Sequence, residues 1–189
     1  MGYQSGFYLN VDRCVQCHAC EVACKAYKDV DSGIKLRQVI GMWAGQYPDL
    51  IYRTISFSCM HCGEPNCVDA CPNGAIFKRA EDGIVVVDQD ICAGCQACAE
   101  ACPFGVIQFD QDGIMQKCDF CVDRLAQGKQ PICIETCPSE ALGFGTLEAL
   151  SRLESAQQLS GSNRPSMLIA CNNWSVLEPL LPWKQDRTE

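Results

Sequence analysis

Apolar positions along this 189-residue chain come in short runs. The longest apolar stretch, Met167 to Cys171, is five residues long and soon meets Asn172 and Asn173, whereas a membrane-spanning helix needs about 20 consecutive apolar residues. The pattern therefore predicts no direct membrane span. Ala75-Ile-Phe-Lys-Arg79 and Ile84-Val-Val-Val-Asp88 flank Glu81-Asp82-Gly83, the signature of two strands joined by a tight turn. After Gly145, Thr146 is placed to cap a helix whose Leu147, Leu150 and Leu153 recur every three residues. Such a stripe usually faces a core, so a packing helix is expected rather than a partner-binding one. From Asn163 to Glu189 the chain contains prolines together with Trp174 and Trp183, which suggests an arm laid over a partner or over the rest of the chain.

Composition narrows the class. The net charge of −8 argues against a nucleic-acid partner, because a polyanion is bound through a basic patch. Leu, Ile, Val and Phe make up about 23% of the residues, enough to fold but thin for a core of this length, while cysteine makes up about 9%. Small domains that bury too little apolar surface need disulfides or metals. The start of the sequence has no basic stretch followed by an apolar one, and Gly6 stands where myristoylation requires Ser or Thr. No export or lipid anchoring is expected from these residues themselves.

Sixteen of the seventeen cysteines fall into four groups. The first is Cys14, Cys17, Cys20 and Cys24. The second is Cys59, Cys62, Cys67 and Cys71, followed by Pro72. The third is Cys92, Cys95, Cys98 and Cys102, followed by Pro103. The fourth is Cys118, Cys121, Cys133 and Cys137, followed by Pro138, with eleven residues between its second and third members. Cys171 stands alone. Three cysteines within seven residues can curl a loop around one iron–sulfur cube, and in two-cluster ferredoxins the fourth ligates the neighbouring cluster. Motifs must then come in pairs. The hairpin between the second and third groups pairs those two, and elimination pairs the first with the fourth. Four [4Fe-4S] sites follow: Cys14, Cys17, Cys20 with Cys137; Cys118, Cys121, Cys133 with Cys24; Cys59, Cys62, Cys67 with Cys102; and Cys92, Cys95, Cys98 with Cys71.

Two other readings of the cysteines compete. An odd count, the repeated motif and the lack of a secretory leader count against disulfides. Structural zinc normally separates two Cys-x2-Cys knuckles by a longer spacer; only the fourth group, taken alone, has that look. An oxidised cube with its thiolates carries roughly −2, so four would add about −8 to an acidic chain. Backbone N–H groups in loops such as Ala93-Gly94 and Gln96-Ala97 can stabilise that charge, and Arg13, Lys25, Lys78, Arg79, Lys117 and Arg124 are candidates for tuning potentials. His18 and His61 sit inside cluster loops but are not needed as ligands. Cys171 reads as a small buried hydrophobe. No nucleophile–base set, phosphate loop or paired-carboxylate constellation accompanies the cysteines, so no active site of the chain's own is expected.

Gly6-Phe-Tyr-Leu-Asn-Val-Asp-Arg-Cys14, Cys20-Glu-Val-Ala-Cys24-Lys-Ala-Tyr-Lys28, Ser58-Cys-Met-His-Cys62-Gly-Glu-Pro-Asn-Cys67, Lys117-Cys-Asp-Phe-Cys121-Val-Asp-Arg124 and Gln130-Pro-Ile-Cys133-Ile-Glu-Thr-Cys137-Pro138 resemble the four-cluster electron-transfer subunit of the dimethyl sulfoxide reductase family of molybdenum oxidoreductases. The resemblance runs from about Gly6 to Gly145. It implies an α+β fold of two interlocked bacterial-ferredoxin-like (βαββαβ-type) halves, each holding two [4Fe-4S] clusters. The halves would span about 1–35 plus 113–145 and about 54–112, with an insertion at about 36–53 shorter than in many relatives and a C-terminal helix and arm over 146–189. It implies a molybdopterin catalytic subunit and an integral-membrane, quinone-reactive anchor subunit as partners. The pair from groups one and four would lie nearer the catalytic subunit. A peripheral place on the membrane follows, with the periplasmic face reached on a partner's signal favoured over the cytoplasmic face. Because Cys95 is present where some relatives carry Trp, a full set of four-iron clusters is implied. The equivalent subunit of a formate dehydrogenase or hydrogenase, a stand-alone polyferredoxin and a metal-stapled structural module without redox function remain as alternatives.

Overall fold

The computed structural model describes residues 2–184. In chain order the elements are β1 (Ser5–Asn10), α1 (Ala19–Lys28), β2 (Arg37–Ala44), β3 (Ile51–Ser58), α2 (Asn66–Asp69), β4 (Ile76–Lys78), β5 (Val85–Val87), α3 (Ala97–Ala101), β6 (Gln108–Phe109), β7 (Met115–Gln116), α4 (Val122–Leu125), α5 (Ile132–Glu135), β8 (Leu142–Thr146), α6 (Leu147–Leu150), β9 (Ala156–Gln158), β10 (Met167–Ala170) and α7 (Trp174–Leu177). The fold is mixed α/β, with short elements threaded between cysteine loops.

One sheet joins the two ends of the chain in the order β8-β1-β10-β9. β1 runs parallel to β10, with Phe7 opposite Met167 and Leu9 opposite Ile169, and antiparallel to β8, with Leu9 opposite Leu142. β10 is buried along its whole length. Its unbroken Met-Leu-Ile-Ala run suits a strand covered on both faces. This differs from the extended arm expected over 163–189: the apolar run has more surface to bury than an arm leaves covered, and a place between β1 and β9 buries it. Farther on, Trp183 packs edge-on against Phe57 and Phe104, both at 5.6 Å, so this segment covers its own chain. The last part of the expected arm, 185–189, lies outside the described residues.

Three hairpins complete the β structure. β2 and β3 pair over eight residues each, from Arg37 opposite Ser58 to Ala44 opposite Ile51. β4 and β5 form the hairpin expected around Glu81-Asp82-Gly83, with Ile76 opposite Val87 and Lys78 opposite Val85. β6 and β7 add a short pair. The expected helix after Thr146 is a single turn. Thr146 Oγ1 accepts from the Ala149 N–H at 3.1 Å, and Leu150 is buried, but Leu153 lies beyond the turn and is exposed.

The core is centred on Phe120, which is fully buried. Its ring meets Phe7 at 4.3 Å, Phe144 at 5.0 Å and His61 at 3.9 Å. Each such contact contributes about 0.5–1.5 kcal/mol beyond burial, so this group ties β1, β8 and two cysteine loops together. The short helices pack in pairs, α1 with α5 and α2 with α3, and these pairs position the cysteines.

Candidate metal centres

The first Cys-x-x-Cys turn of each group has the same backbone device. The third residue adopts a left-handed conformation: Gln16 at φ 53°, His61 at 42°, Gly94 at 65° and Phe120 at 58°. Only one of the four is glycine, and a non-glycine residue there costs about 1–2 kcal/mol. What the strain achieves is visible in two turns, where the Gln16 N–H points at the Cys14 sulfur and the His61 N–H at the Cys59 sulfur. Further backbone N–H groups serve Cys71 (from Asn73, Gly74, Ala75 and Ile76), Cys98 (from Ala99) and Cys121 (from Ile132).

Helix geometry divides the thiols between sites. The x3 spacings Cys20/Cys24, Cys67/Cys71, Cys98/Cys102 and Cys133/Cys137 each place two cysteines four residues apart at a short helix or its end. Four residues rise about 6 Å along a helix axis, so one helix presents a thiol to each of two neighbouring sites. With α1 packed on α5 and α2 on α3, the exchange is reciprocal.

Four groups of thiols result. Cys14, Cys17, Cys20 and Cys137 line one cavity. Cys59, Cys62, Cys67 and Cys102 line a second. Cys71, Cys92, Cys95 and Cys98 line a third. Cys24 has Cys118, Cys133 and Cys121 as its electrostatic neighbours, which makes the last group. Among the described residues, no three His, Cys, Asp or Glu side chains close around the position of a single ion. The sulfurs of a zinc tetrahedron lie within about 3.8 Å of one another, from bonds of 2.3 Å. The thiols here do not close around one ion in that way, and the N–H groups aimed at their sulfurs fit an anionic centre.

The electrostatics point the same way. Burial first, then repulsion from Cys59, Cys67 and Cys102, pushes the Cys62 thiol up to about 12; Cys67 and Cys121 are pushed up to about 12 by burial as well. These thiols are protonated at neutral pH unless a cation binds, so metal loading must release protons. Cys71 is the exception. Burial is the largest single influence and raises it, but the four N–H donors together outweigh this and its pKa is lowered.

Of the basic residues proposed to tune the sites, Arg13, Arg79 and Arg124 are paired with Glu140, with Glu81 and Asp82, and with Glu135. Lys25 bonds the carbonyls of Val30, Asp31 and Ile34. Lys78 bonds the carbonyls of Cys62 and Gly63, and buried Lys117 bonds those of Val85 and Cys118. His18 is paired with Glu21 at 3.4 Å. His61 is fully buried, and its Nδ1 accepts from the Val85 N–H at 3.1 Å; burial, then Lys117, Arg37 and Lys78, hold its pKa well below the ordinary value. Cys171 is buried outside the four groups and accepts from the Asn173 N–H at 3.3 Å.

Two contacts were not foreseen from sequence. Asn163 Nδ2 donates to Cys62 Sγ at 3.2 Å, and Ser56 Oγ lies 3.3 Å from Cys20 Sγ. Neither residue is near in sequence to the cysteine it meets: Asn163 is 101 residues from Cys62 and Ser56 is 36 from Cys20. Arg37 is the larger omission, being fully buried beside four thiols. One signal was available: in an alternating strand Arg37 shares a face with Val39.

The family model described as a 4Fe-4S dicluster domain matches residues 50–147, and a second model of the same description matches 13–76. The chain is 43% identical over 161 residues to the B subunit of anaerobic dimethyl sulfoxide reductase from Escherichia coli (strain K12), covering 80% of this chain and 78% of that protein. The chain belongs to the family of the dimethyl sulfoxide reductase B subunit. The Haemophilus influenzae protein of that name is 41% identical over 157 residues, covering 78% of this chain and 76% of its own. The thiosulfate reductase electron transfer subunit PhsB of Salmonella typhi is 44% identical over 140 residues, covering 72% of each chain. As a member of this family the protein is an iron–sulfur electron-transfer subunit of an oxidoreductase complex and carries multiple 4Fe-4S clusters. No helix among the described residues is long and apolar enough to cross a membrane.

Proposed function

We propose that the chain relays single electrons through four [4Fe-4S] clusters, held by the sixteen cysteines in the four groups named above, between a molybdopterin catalytic subunit and a quinone-reactive membrane subunit. One observation carries this reading. The four groups follow one another in the order of the quartets containing Cys14, Cys24, Cys59 and Cys71, counted here as first to fourth: Cys133 of the second is a neighbour of Cys20 of the first, Cys59 of the third is a neighbour of Cys118 of the second, and Cys67 of the third is a neighbour of Cys98 of the fourth. The exposed cysteines, Cys17 and Cys95, belong to the first and last groups. Such a series has two surface ends and a buried middle, which suits a conductor between two different partners.

The bound clusters supply one-electron chemistry. The chain's own residues set the spacing through the short helices, aim N–H groups at sulfur and keep water from the middle groups. The relatives act in dimethyl sulfoxide reductase and thiosulfate reductase, so a partner that reduces an oxygen- or sulfur-containing small molecule is proposed here. In this reading the bond-making chemistry belongs to that partner, and the complex sits on the periplasmic face of the membrane. The two halves comprise about 1–35 with 113–145, and about 54–112.

The test is an anaerobic pull-down of the full chain followed by metal analysis of every associated polypeptide. About 16 Fe per chain, little zinc, visible absorption that bleaches with dithionite, and a co-purifying molybdenum protein are expected. A colourless protein, or one loaded with zinc, sinks the four-cluster reading; a fully loaded chain that never associates with a molybdenum protein leaves a stand-alone polyferredoxin.

A further inference from the structure

Arg37 is 1% exposed, yet its charge meets no carboxylate among the described residues. Its Nη1 donates to Ser56 Oγ at 3.2 Å and its Nη2 to Ser58 Oγ at 3.1 Å, both neutral hydroxyls. Nε has no hydrogen-bond partner among the described residues. The guanidinium lies over the Phe7 ring at 4.3 Å. A buried cation with a free donor and only neutral acceptors is strongly unfavourable unless an anion comes within reach.

The groups that could supply that anion are all cysteines. Burial alone would lower the guanidinium's pKa, but Cys133, Cys118, Cys20 and Cys24 hold it above the ordinary value; Ser56, which accepts from its Nη1, lies 3.3 Å from Cys20 Sγ. Cys20 belongs to the first site; Cys24, Cys118 and Cys133 belong to the second. Arginine suits the position because it stays charged when buried, whereas lysine loses its proton readily in such surroundings.

We propose that Arg37 is a fixed positive charge shared by the first two iron–sulfur sites, which raises the reduction potential of both and lets both hold an electron at the same time. The inference rests on the four-cluster reading. It makes Arg37 a tuning residue, acting through the clusters without being a ligand. A neutral residue there would leave the sites intact but shift their potentials down together, since the negative charge added on reduction would meet no local cation.

The test uses the full chain, purified anaerobically and loaded with iron, with midpoint potentials read by EPR during a mediated redox titration. Arg37→Gln should keep the wild-type iron content and shift two of the four clusters toward lower potential by a tenfold or larger change in the reduced-to-oxidised ratio, which is about 59 mV for one electron. The cluster of Cys71, Cys92, Cys95 and Cys98 should not move. Arg37→Lys should shift less than Arg37→Gln. Should Arg37→Gln fail to retain iron, Ser58→Asp carries the test: it leaves the arginine in place but pairs it, and must lower the potentials of the Cys14 and Cys24 quartets; the Cys59 quartet, adjacent to residue 58, is left out of that comparison. Potentials unchanged in a fully loaded variant, or shifted equally at all four clusters, overturn the role of Arg37. A wild-type chain without 4Fe-4S signals overturns the four-cluster reading instead.

Discussion

Replacing Cys137 by serine should remove iron from a site whose other cysteines lie more than one hundred residues earlier in the chain. Cys137 follows Cys133 by one helical turn, about 6 Å along the axis, and shares a cavity with Cys14, Cys17 and Cys20. If it completes that quartet, its loss costs between one iron and one whole cube, so iron per chain falls from about 16 to between about 15 and about 12. Iron count alone does not say which site emptied; double variants do. Cys17→Ser falls in the same quartet, so Cys17→Ser with Cys137→Ser should lose no more than one cube. Cys121→Ser falls in the other quartet, so Cys121→Ser with Cys137→Ser should lose up to two, because changes at separate sites add and changes at one site do not. The assay is iron and acid-labile sulfide per chain, with EPR spin quantitation after dithionite reduction. Additive loss with Cys17→Ser and non-additive loss with Cys121→Ser would show that Cys137 serves its own loop and would refute the exchange.

Two stability predictions follow from packing and charge. Phe120→Ala empties a fully buried position ringed by Phe7, Phe144 and His61 and should cost about 3–5 kcal/mol in anaerobic denaturant titration; a cost below about 1 kcal/mol would mean that this group is not the structural centre. Lys28 bonds Asp119 in a cysteine loop at 2.9 Å and Asp123 at 3.2 Å, so Lys28→Met should cost about 0.5–1 kcal/mol at low salt. Burial lowers the Lys28 pKa, but Asp119 and then Asp123 raise it above the ordinary value; burial raises the Asp123 pKa, but Tyr27 and Lys28 lower it. The lysine's contribution is therefore present at neutral pH and lost only above its raised pKa, and the carboxylate's is present above about pH 4 and lost as pH falls through its lowered pKa. The variant should differ from wild type by a constant amount between about pH 5 and pH 9 and converge with it in acid; a difference that grows below about pH 4 would contradict this.

Local features could be read from the sequence and non-local ones could not. The β4–β5 hairpin was legible because turn and strands lie within a dozen residues. The x3 cysteine spacing was legible as one helical turn even though α2 and α5 are only four residues long, too short for any periodicity to reveal. β10 was not: a five-residue apolar run says that it is buried, but its partner is β1, some 160 residues earlier. The left-handed turns at Gln16, His61 and Phe120 carry no glycine to announce them. Arg37 was passed over because a charge in an ordinary strand reads as surface, and its burial makes sense only beside thiols brought in from other parts of the chain.

The place of β1 has a consequence for biogenesis. Both of its neighbours, β8 and β10, follow it by more than 130 residues in the sequence. While that stretch is being made, the nascent chain carries an apolar strand with two open edges and a neighbouring cysteine loop lacking Cys137. Unpaired edges invite pairing with other chains, so β1 stays exposed to such pairing until β8 and β10 are made, and the quartet of Cys14, Cys17 and Cys20 is completed only when Cys137 has joined it.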